Sequence, residues 1–304
     1  MFLKKLNLII KGFCIGSADV IPGVSGSTIA FILGIYPKLI NAIKSFDSKW
    51  LSMIFSLNFK GVLQRPDFNF LIPLGLGILS AIFFFTRIIP LPILVRTHSE
   101  IIYGLFFGLV LGSIILFLYR LGTNLISKYF IFLLFGLFFG VYFISLTPSS
   151  TPDDNWFIFI CGIVAISAML LPGVSGSFVL LMMKKYAYIL NAIGHIELYI
   201  IAPFIFGVIT GLIVFSRLIS YILKYFYQQT ILFMTGLLIA SLYVIWPFQN
   251  RFYEIIQNKE IMTSSRPQIP ELLSEQVFYS ITMMIFGLLI VIILSRFSRE
   301  SVTI

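Results

Sequence analysis

Residues 129–147, YFIFLLFGLFFGVYFISLT, run without a single charged side chain. About 20 apolar residues in helical form cross the roughly 30 Å hydrocarbon core of a bilayer. Five further apolar runs of that length lie at 69–90, 100–119, 198–222, 230–248 and 277–295. A chain with six such runs is an integral membrane protein, and an all-α one, since each run must satisfy its own backbone in lipid. Composition agrees: 59% of residues are hydrophobic, mean hydropathy is +1.03 and only 11% are charged, against about 25% in soluble domains. The net charge of +9 does not indicate a nucleic-acid partner, because the cations lie between apolar runs and form no solvated basic face.

Two other apolar stretches are broken. IPGVSGST at 21–28 and LPGVSGSF at 171–178 place the same Pro-Gly-Val-Ser-Gly-Ser inside hydrophobic sequence. From Gly26 to Tyr36 a helix would rise only about 16 Å, half a membrane, and Lys184 and Lys185 arrive eight residues after Gly176. Both stretches, 6–43 and 156–193, are expected to be re-entrant hairpins or broken helices. With hairpins entering and leaving on one face, six crossings put both termini on the same side. Thirteen lysines and arginines then fall on that side, at 4–11, 38–65, 120–128, 224 and 296–299, with Asp47, Asp67 and Glu300 as its acids. Four cations and eight acids fall on the other. The positive-inside rule makes both termini cytoplasmic.

The halves also match in detail. At an offset of 150, Tyr36 aligns with Tyr186 and Asn41-Ala42-Ile43 with Asn191-Ala192-Ile193; at 130, Pro73, Gly77 and Arg87 align with Pro203, Gly207 and Arg217. Each half, 1–148 and 156–304, is one hairpin plus three spans in a single membrane domain. Three is odd, so the second half is expected to sit inverted, as in secondary transporters.

A mid-membrane break exposes backbone N–H groups and survives only where it is buried in protein or lines a cavity. Gly23, Gly26, Gly173 and Gly176 permit close backbone approach, Ser25, Ser27, Ser175 and Ser177 offer caps or hydrogen bonds, and helix N-termini favour anions. A kink or tight packing through small residues explains one such break. Two at equivalent positions point to a substrate-binding site for an anion. Arg87 and Arg217 lie inside apolar runs, either snorkelling to the interface or facing a pathway, where a guanidinium fork can hold a phosphate. Asp19, whose repeat counterpart is Met169, reads equally as a proton or sodium coupling site and as a structural counter-ion. Lys184 and Lys185 are headgroup contacts or interfacial anchors.

His98 and His195 stand alone, so no metal site is expected, and no cofactor. Cys14 and Cys161 read as small buried hydrophobes. MFLKKLNLIIKGFC begins like a signal peptide, but Lys11 interrupts it and no A-x-A-like site follows. No G-x-x-x-x-G-K-[ST] loop is present for ATP. Nothing requires a second subunit, and a homodimer is compatible with the sequence.

GSADVIPGVSGST, ISAMLLPGVSGSF and the arginine-bearing spans resemble the bacterial polyprenyl-phosphate transporter family, formerly a domain of unknown function. The resemblance covers nearly the whole chain. It implies a plasma-membrane flippase returning undecaprenyl phosphate to the inner leaflet, with substrate identity coming from the resemblance alone. Membrane undecaprenyl-diphosphate phosphatases are the enzymatic alternative, but their PG-x-SRS sites carry an arginine where Gly26 and Gly176 stand here, with glutamates nearby. Without those groups phosphoryl transfer lacks its electrostatic stabilisation, so no enzyme is expected. A small-anion transporter would use the same half-helix ends.

Overall fold

Apolar sequence becomes helix in lipid because hydrocarbon offers the backbone no other partner. The computed structural model describes residues 2–21, 24–89, 94–95, 97–146, 151–256, 259–270 and 274–297. Its first half runs α1 (Phe2–Asp19), α2 (Gly26–Ile32), α3 (Tyr36–Lys44), α4 (Ser48–Phe55), α5 (Phe59–Gln64), α6 (Phe68–Phe83) and α7 (Ser99–Ser145). The second runs α8 (Asn155–Leu170), α9 (Gly176–Met182), α10 (Tyr186–His195), α11 (Leu198–Tyr225), α12 (Tyr227–Val244), β1 (Gln249–Ile256), β2 (Lys259–Pro267) and α13 (Glu275–Phe297). The chain is a multi-pass membrane protein: α7, α11, α12 and α13 are each long and apolar enough to cross a bilayer.

α7 is two helices joined at a kink. Gly122 (φ 73°) and Tyr129 (φ −118°) leave helical geometry, so its limbs, 99–121 and 130–145, fall close to two of the expected spans. α6 ends in a π-helical turn, Phe84–Ile88, which carries Arg87. The connection after α3 contains two short helices, and side chains start them: Asp47 accepts from the Trp50 N–H at 2.9 Å and Asn58 from that of Gly61 at 3.0 Å.

One element departs from an all-α fold. β1 and β2 pair antiparallel from Gln249 opposite Pro267 to Ile256 opposite Lys259, with an irregularity between Phe252 and Tyr253. This segment is too polar to stay in lipid and too rich in Ile, Phe, Tyr and Thr to favour helix once outside it.

The two broken stretches fold alike. α2 and α3 bend by 120° at Gly34 (φ 69°), where Gly34 N–H donates to Phe31 and Ile35 N–H to Ala30, both at 3.1 Å. Exactly 150 residues on, Lys184 (φ 51°) donates to Leu181 at 3.0 Å and Lys185 to Leu180 at 2.8 Å. Both are Schellman closures, which satisfy the last carbonyls of a helix through a left-handed residue.

Helix pairing repeats as well. Gly12 and Gly77 bring α1 against α6, and Gly162 and Gly207 bring α8 against α11, so closely that a Cβ at any of them would strike opposing backbone. Limb 99–121 packs on α13 through Gly104 and Gly108, and limb 130–145 packs on α12 through Gly136 and Gly140. Small residues are what let membrane helices approach. Each half's second long helix thus packs on the other half's third, around a shared core that includes Tyr36, Phe70, Tyr103 and Met234.

Candidate functional site

The two PGVSGS segments meet. Ser27 Oγ donates to the Leu171 carbonyl at 3.0 Å, and the Gly173 N–H donates to Thr28 Oγ1 at 2.9 Å. A third tie lies beside them: the Tyr36 hydroxyl, fully buried, donates to the Leu170 carbonyl at 2.8 Å. Leu170 ends α8, where carbonyls have no partner within the helix. Residues of the first break therefore finish the helix that leads into the second. Gly173 sits at φ +85°, a left-handed conformation that glycine adopts freely, and a Cβ there would lie 3.0 Å from the Leu237 carbonyl.

The serines differ from expectation. Ser25 and Ser175 occupy the positions before α2 and α9, but neither caps its helix by side chain. Ser25 Oγ instead lies 2.7 Å from Ser27 Oγ, and Ser175 Oγ 2.8 Å from Ser177 Oγ. In the first break the leading N–H is taken by another group: Gly26 N–H donates to Asp19 Oδ1 at 2.7 Å. A Cβ at Gly26 would come within 2.5 Å of that carboxylate, so glycine is what admits it. Asp19 thus places a side-chain oxygen at the N-terminal end of α2. Met169 holds the equivalent place in the second break. Exposure follows the same asymmetry, with Ser25 and Thr28 buried and Ser177 exposed. Gly23, expected in this site, lies outside the described residues.

Arg87 and Arg217 are both exposed. Arg87 lies in the π turn that ends α6. Arg217, on α11, lies near the loop after α3, where its charge reaches Asp47. Lys185 is 3% exposed, pairs with Asp153, donates to the Thr151 carbonyl at 2.9 Å and lies 5.4 Å from the Tyr188 ring centre. It is an anchor. Among the described residues no group of His, Cys, Asp and Glu could hold a metal.

Two spaces adjoin the second segment. A cavity of about 30 Å³ lies beside Gly173, Val174 and Ser175, walled by Phe143, Phe178 and Leu237; it has room for one or two waters. A larger apolar groove, about 420 Å³, begins at Leu171 and follows Ile219, Ile222 and Phe226 between α11, α12 and limb 130–145.

A family model described as undecaprenyl phosphate translocase-like matches residues 15–263. The chain belongs to this family. It is 36% identical over 247 residues to a polyprenyl-phosphate transporter of Vibrio cholerae, covering 81% of this chain and 79% of that protein. A polyprenyl-phosphate transporter of Staphylococcus aureus is 32% identical over 259 residues, covering 79% and 85%. No solved structure matches. The family and both relatives are named for transport and not for an enzyme, which leaves the phosphatase alternative without support.

Proposed function

We propose that the chain is a flippase returning undecaprenyl phosphate from the outer to the inner leaflet of the bacterial plasma membrane, for reuse in cell-wall synthesis. The observation that carries this is the union of the two PGVSGS segments through Ser27, Thr28, Leu171 and Gly173. Polar, irregular backbone at membrane depth persists where it lines a path. A lipid phosphate crossing about 30 Å of hydrocarbon needs such a path, because an unshielded charge there is very costly. The names of the relatives supply the substrate class, and the apolar groove starting at Leu171 suits an isoprenoid chain.

In this reading the phosphate is held by Ser25, Ser27, Ser175 and Ser177 and by backbone at Gly23, Gly26, Gly173 and Gly176. The adjoining cavity of about 30 Å³ is too small for it, so the segments part to admit substrate, the motion that alternating access asks of two repeats. The halves 1–148 and 156–304 are inverted copies, giving six crossings and cytoplasmic termini. The hydrogen bonds repeated at an offset of 150 and the exchanged packing of α7 with α12 and α13 support that arrangement. Arg87 and Arg217 serve opposite ends of the path. Asp19 is the coupling site: binding a proton or sodium ion neutralises it and releases the Gly26 N–H for phosphate.

The test is leaflet exchange of a fluorescent polyprenyl phosphate in liposomes. Exchange in the wild type, at least tenfold slower in Arg87→Ala and Arg217→Ala and insensitive to a pH or sodium gradient in Asp19→Asn, is expected. A wild type that moves no lipid but passes free phosphate would replace the flippase with a small-anion transporter.

A further inference from the structure

Lys44, at the end of α3, makes no ion pair among the described residues. The described acids nearby are Asp47 and Asp67. Arg65 occupies both oxygens of Asp47, its Nε donating to Oδ1 at 2.9 Å and its Nη2 pairing with Oδ2. Asp67 pairs with Lys38 at 3.3 Å. Lys44 instead donates to Ser220 Oγ on α11 at 3.0 Å, and Ser220 donates on to Asn41 Oδ1 at 2.9 Å. This relay fixes the Asn41 amide with its oxygen inward, so its NH2 faces away from Ser220 as a donor.

Arg217 stands three residues before Ser220 on the same helix, which makes them surface neighbours. Its proximity to the loop is felt at Asp47, whose carboxyl is held down to about 2, first by the Arg65 hydrogen bond, then by the Trp50 N–H and by the charges of Arg65 and Arg217. Asn41, Lys44 and Arg217 are all exposed, over a buried Ser220. An ammonium with two N–H groups to spare and an amide NH2 thus meet around Ser220 where α3 packs on α11, with a guanidinium one helical turn away on α11.

We propose that Asn41, Lys44 and Arg217 form a docking site for the phosphate monoester of a membrane lipid, distinct from the paired PGVSGS segments. Three donors of this kind suit the oxygens of a phosphate, and basic pockets between helices at a membrane surface recruit anionic headgroups. The site is one-sided. Asn41 has a repeat counterpart in Asn191, but Lys44 aligns with Gly194. Resting on the transport reading, this is where the headgroup waits at the end of its path nearest Asp47.

The test uses the full chain in nanodiscs of zwitterionic lipid, with binding of undecaprenyl phosphate, undecaprenol and inorganic phosphate measured by native mass spectrometry. Lys44→Gln is expected to weaken undecaprenyl phosphate about tenfold, the loss of one charge-assisted hydrogen bond. Lys44→Glu weakens it further, Lys44→Arg restores it, and undecaprenol is unaffected throughout. Equal binding of undecaprenyl phosphate by wild type and Lys44→Glu overturns the proposal. So does displacement of the lipid by inorganic phosphate at similar affinity, which would make the ligand a free anion. Leaflet exchange on the same proteins separates the two readings. Wild-type exchange with Lys44-independent binding removes the docking site and leaves transport standing; Lys44-dependent binding without wild-type exchange does the reverse.

Discussion

Replacing Thr28 with valine removes one oxygen from the contact between the two breaks and changes little else, since valine keeps the shape and the β-branching. Thr28 is 2% exposed, and its Oγ1 accepts the Gly173 N–H at 2.9 Å. In the variant that N–H has lost its acceptor, at a residue held in the left-handed region beside the Leu237 carbonyl. An orphaned buried donor costs about 1–3 kcal/mol, a factor of roughly 5 to 150 in the population of the closed contact. The adjoining cavity of about 30 Å³ admits a water, which sets the lower end of that range; a dry site sets the upper. Reversible unfolding in mixed micelles gives the stability, and hydrogen exchange of the 171–176 amides gives the local opening. Thr28→Ser, which keeps the hydroxyl, should behave as wild type. Tyr36→Phe should act on the same contact, so the double variant should be non-additive. If Thr28→Val matches Thr28→Ser in both measurements, the hydrogen bond between the segments contributes nothing and the argument from their union fails.

Gly34 and Lys184 occupy the same left-handed turn in the two halves, so substitutions there should move stability in opposite directions. Gly34→Ala should destabilise and Lys184→Gly stabilise, each by about 1 kcal/mol, read in the same unfolding assay. On α6, Gly77 faces the backbone of α1 while a Cβ at Gly75 meets nothing within 4 Å. Gly77→Ala should therefore lose at least about 1–3 kcal/mol through overpacking, and Gly75→Ala should be neutral or gain up to about 1 kcal/mol from helix propensity; equal losses at both sites would contradict the packing. Asp47 is lowered from its ordinary value near 3.8 to about 2, chiefly by Arg65. Its stabilisation of the loop is thus complete above pH 4 and disappears as pH falls through about 2. Asp47→Asn should speed proteolysis of the 45–67 segment equally at pH 5 and pH 8, and a difference that grew with pH in that window would refute the assignment.

The doubled break was legible because proline and two glycines inside apolar sequence have few uses, and the shared offset made two of them one feature. The runs at 198–222, 230–248 and 277–295 were legible from length, each falling on a helix long enough to cross, whereas the run at 69–90 forms only the 16-residue α6. Other features depend on directions in space that spacing does not give. Asp19 precedes Gly26 by seven residues, and only the turn after α1 brings its carboxyl back onto that N–H; the sequence reads it equally as an ion-coupling site and as a structural counter-ion, and offers no sign of this contact. With that donor taken, Ser25 turns to Ser27 instead. The short helices after α3 had signals that went unread, since Asp47 and Asn58 are ordinary helix-starting residues. The β-hairpin was masked by its charges, which mark an external segment without distinguishing strand from loop.

The two halves share a backbone frame but not their charges, and this difference bears on what the frame can do. Lys11 donates to the Leu33 carbonyl at 3.3 Å at one end of α2, while Asp19 holds the other end through Gly26. Their counterparts are Cys161 and Met169. The first half-helix thus has an acidic side chain at its N-terminal end and a basic one at its C-terminal end, in the sense its dipole favours; the second has no acid at its N-terminal end, and its C-terminal end is followed by Lys184 and Lys185. In the proposed inverted arrangement, equivalent frames give a substrate equivalent routes from either side. Unequal charges make its binding unequal along that route, but they cannot by themselves set the direction of net movement, because a carrier without an energy source only speeds equilibration. Direction comes from a second, coupled equilibrium, and coupling requires that ion and substrate compete for, or jointly stabilise, the same groups. In the proposed function Asp19 competes with substrate, since the Gly26 N–H it holds is one the phosphate would use. Removing its charge with Asp19→Asn should leave passive exchange intact while abolishing the response to a gradient. Loss of both together would make Asp19 structural and move the coupling site elsewhere.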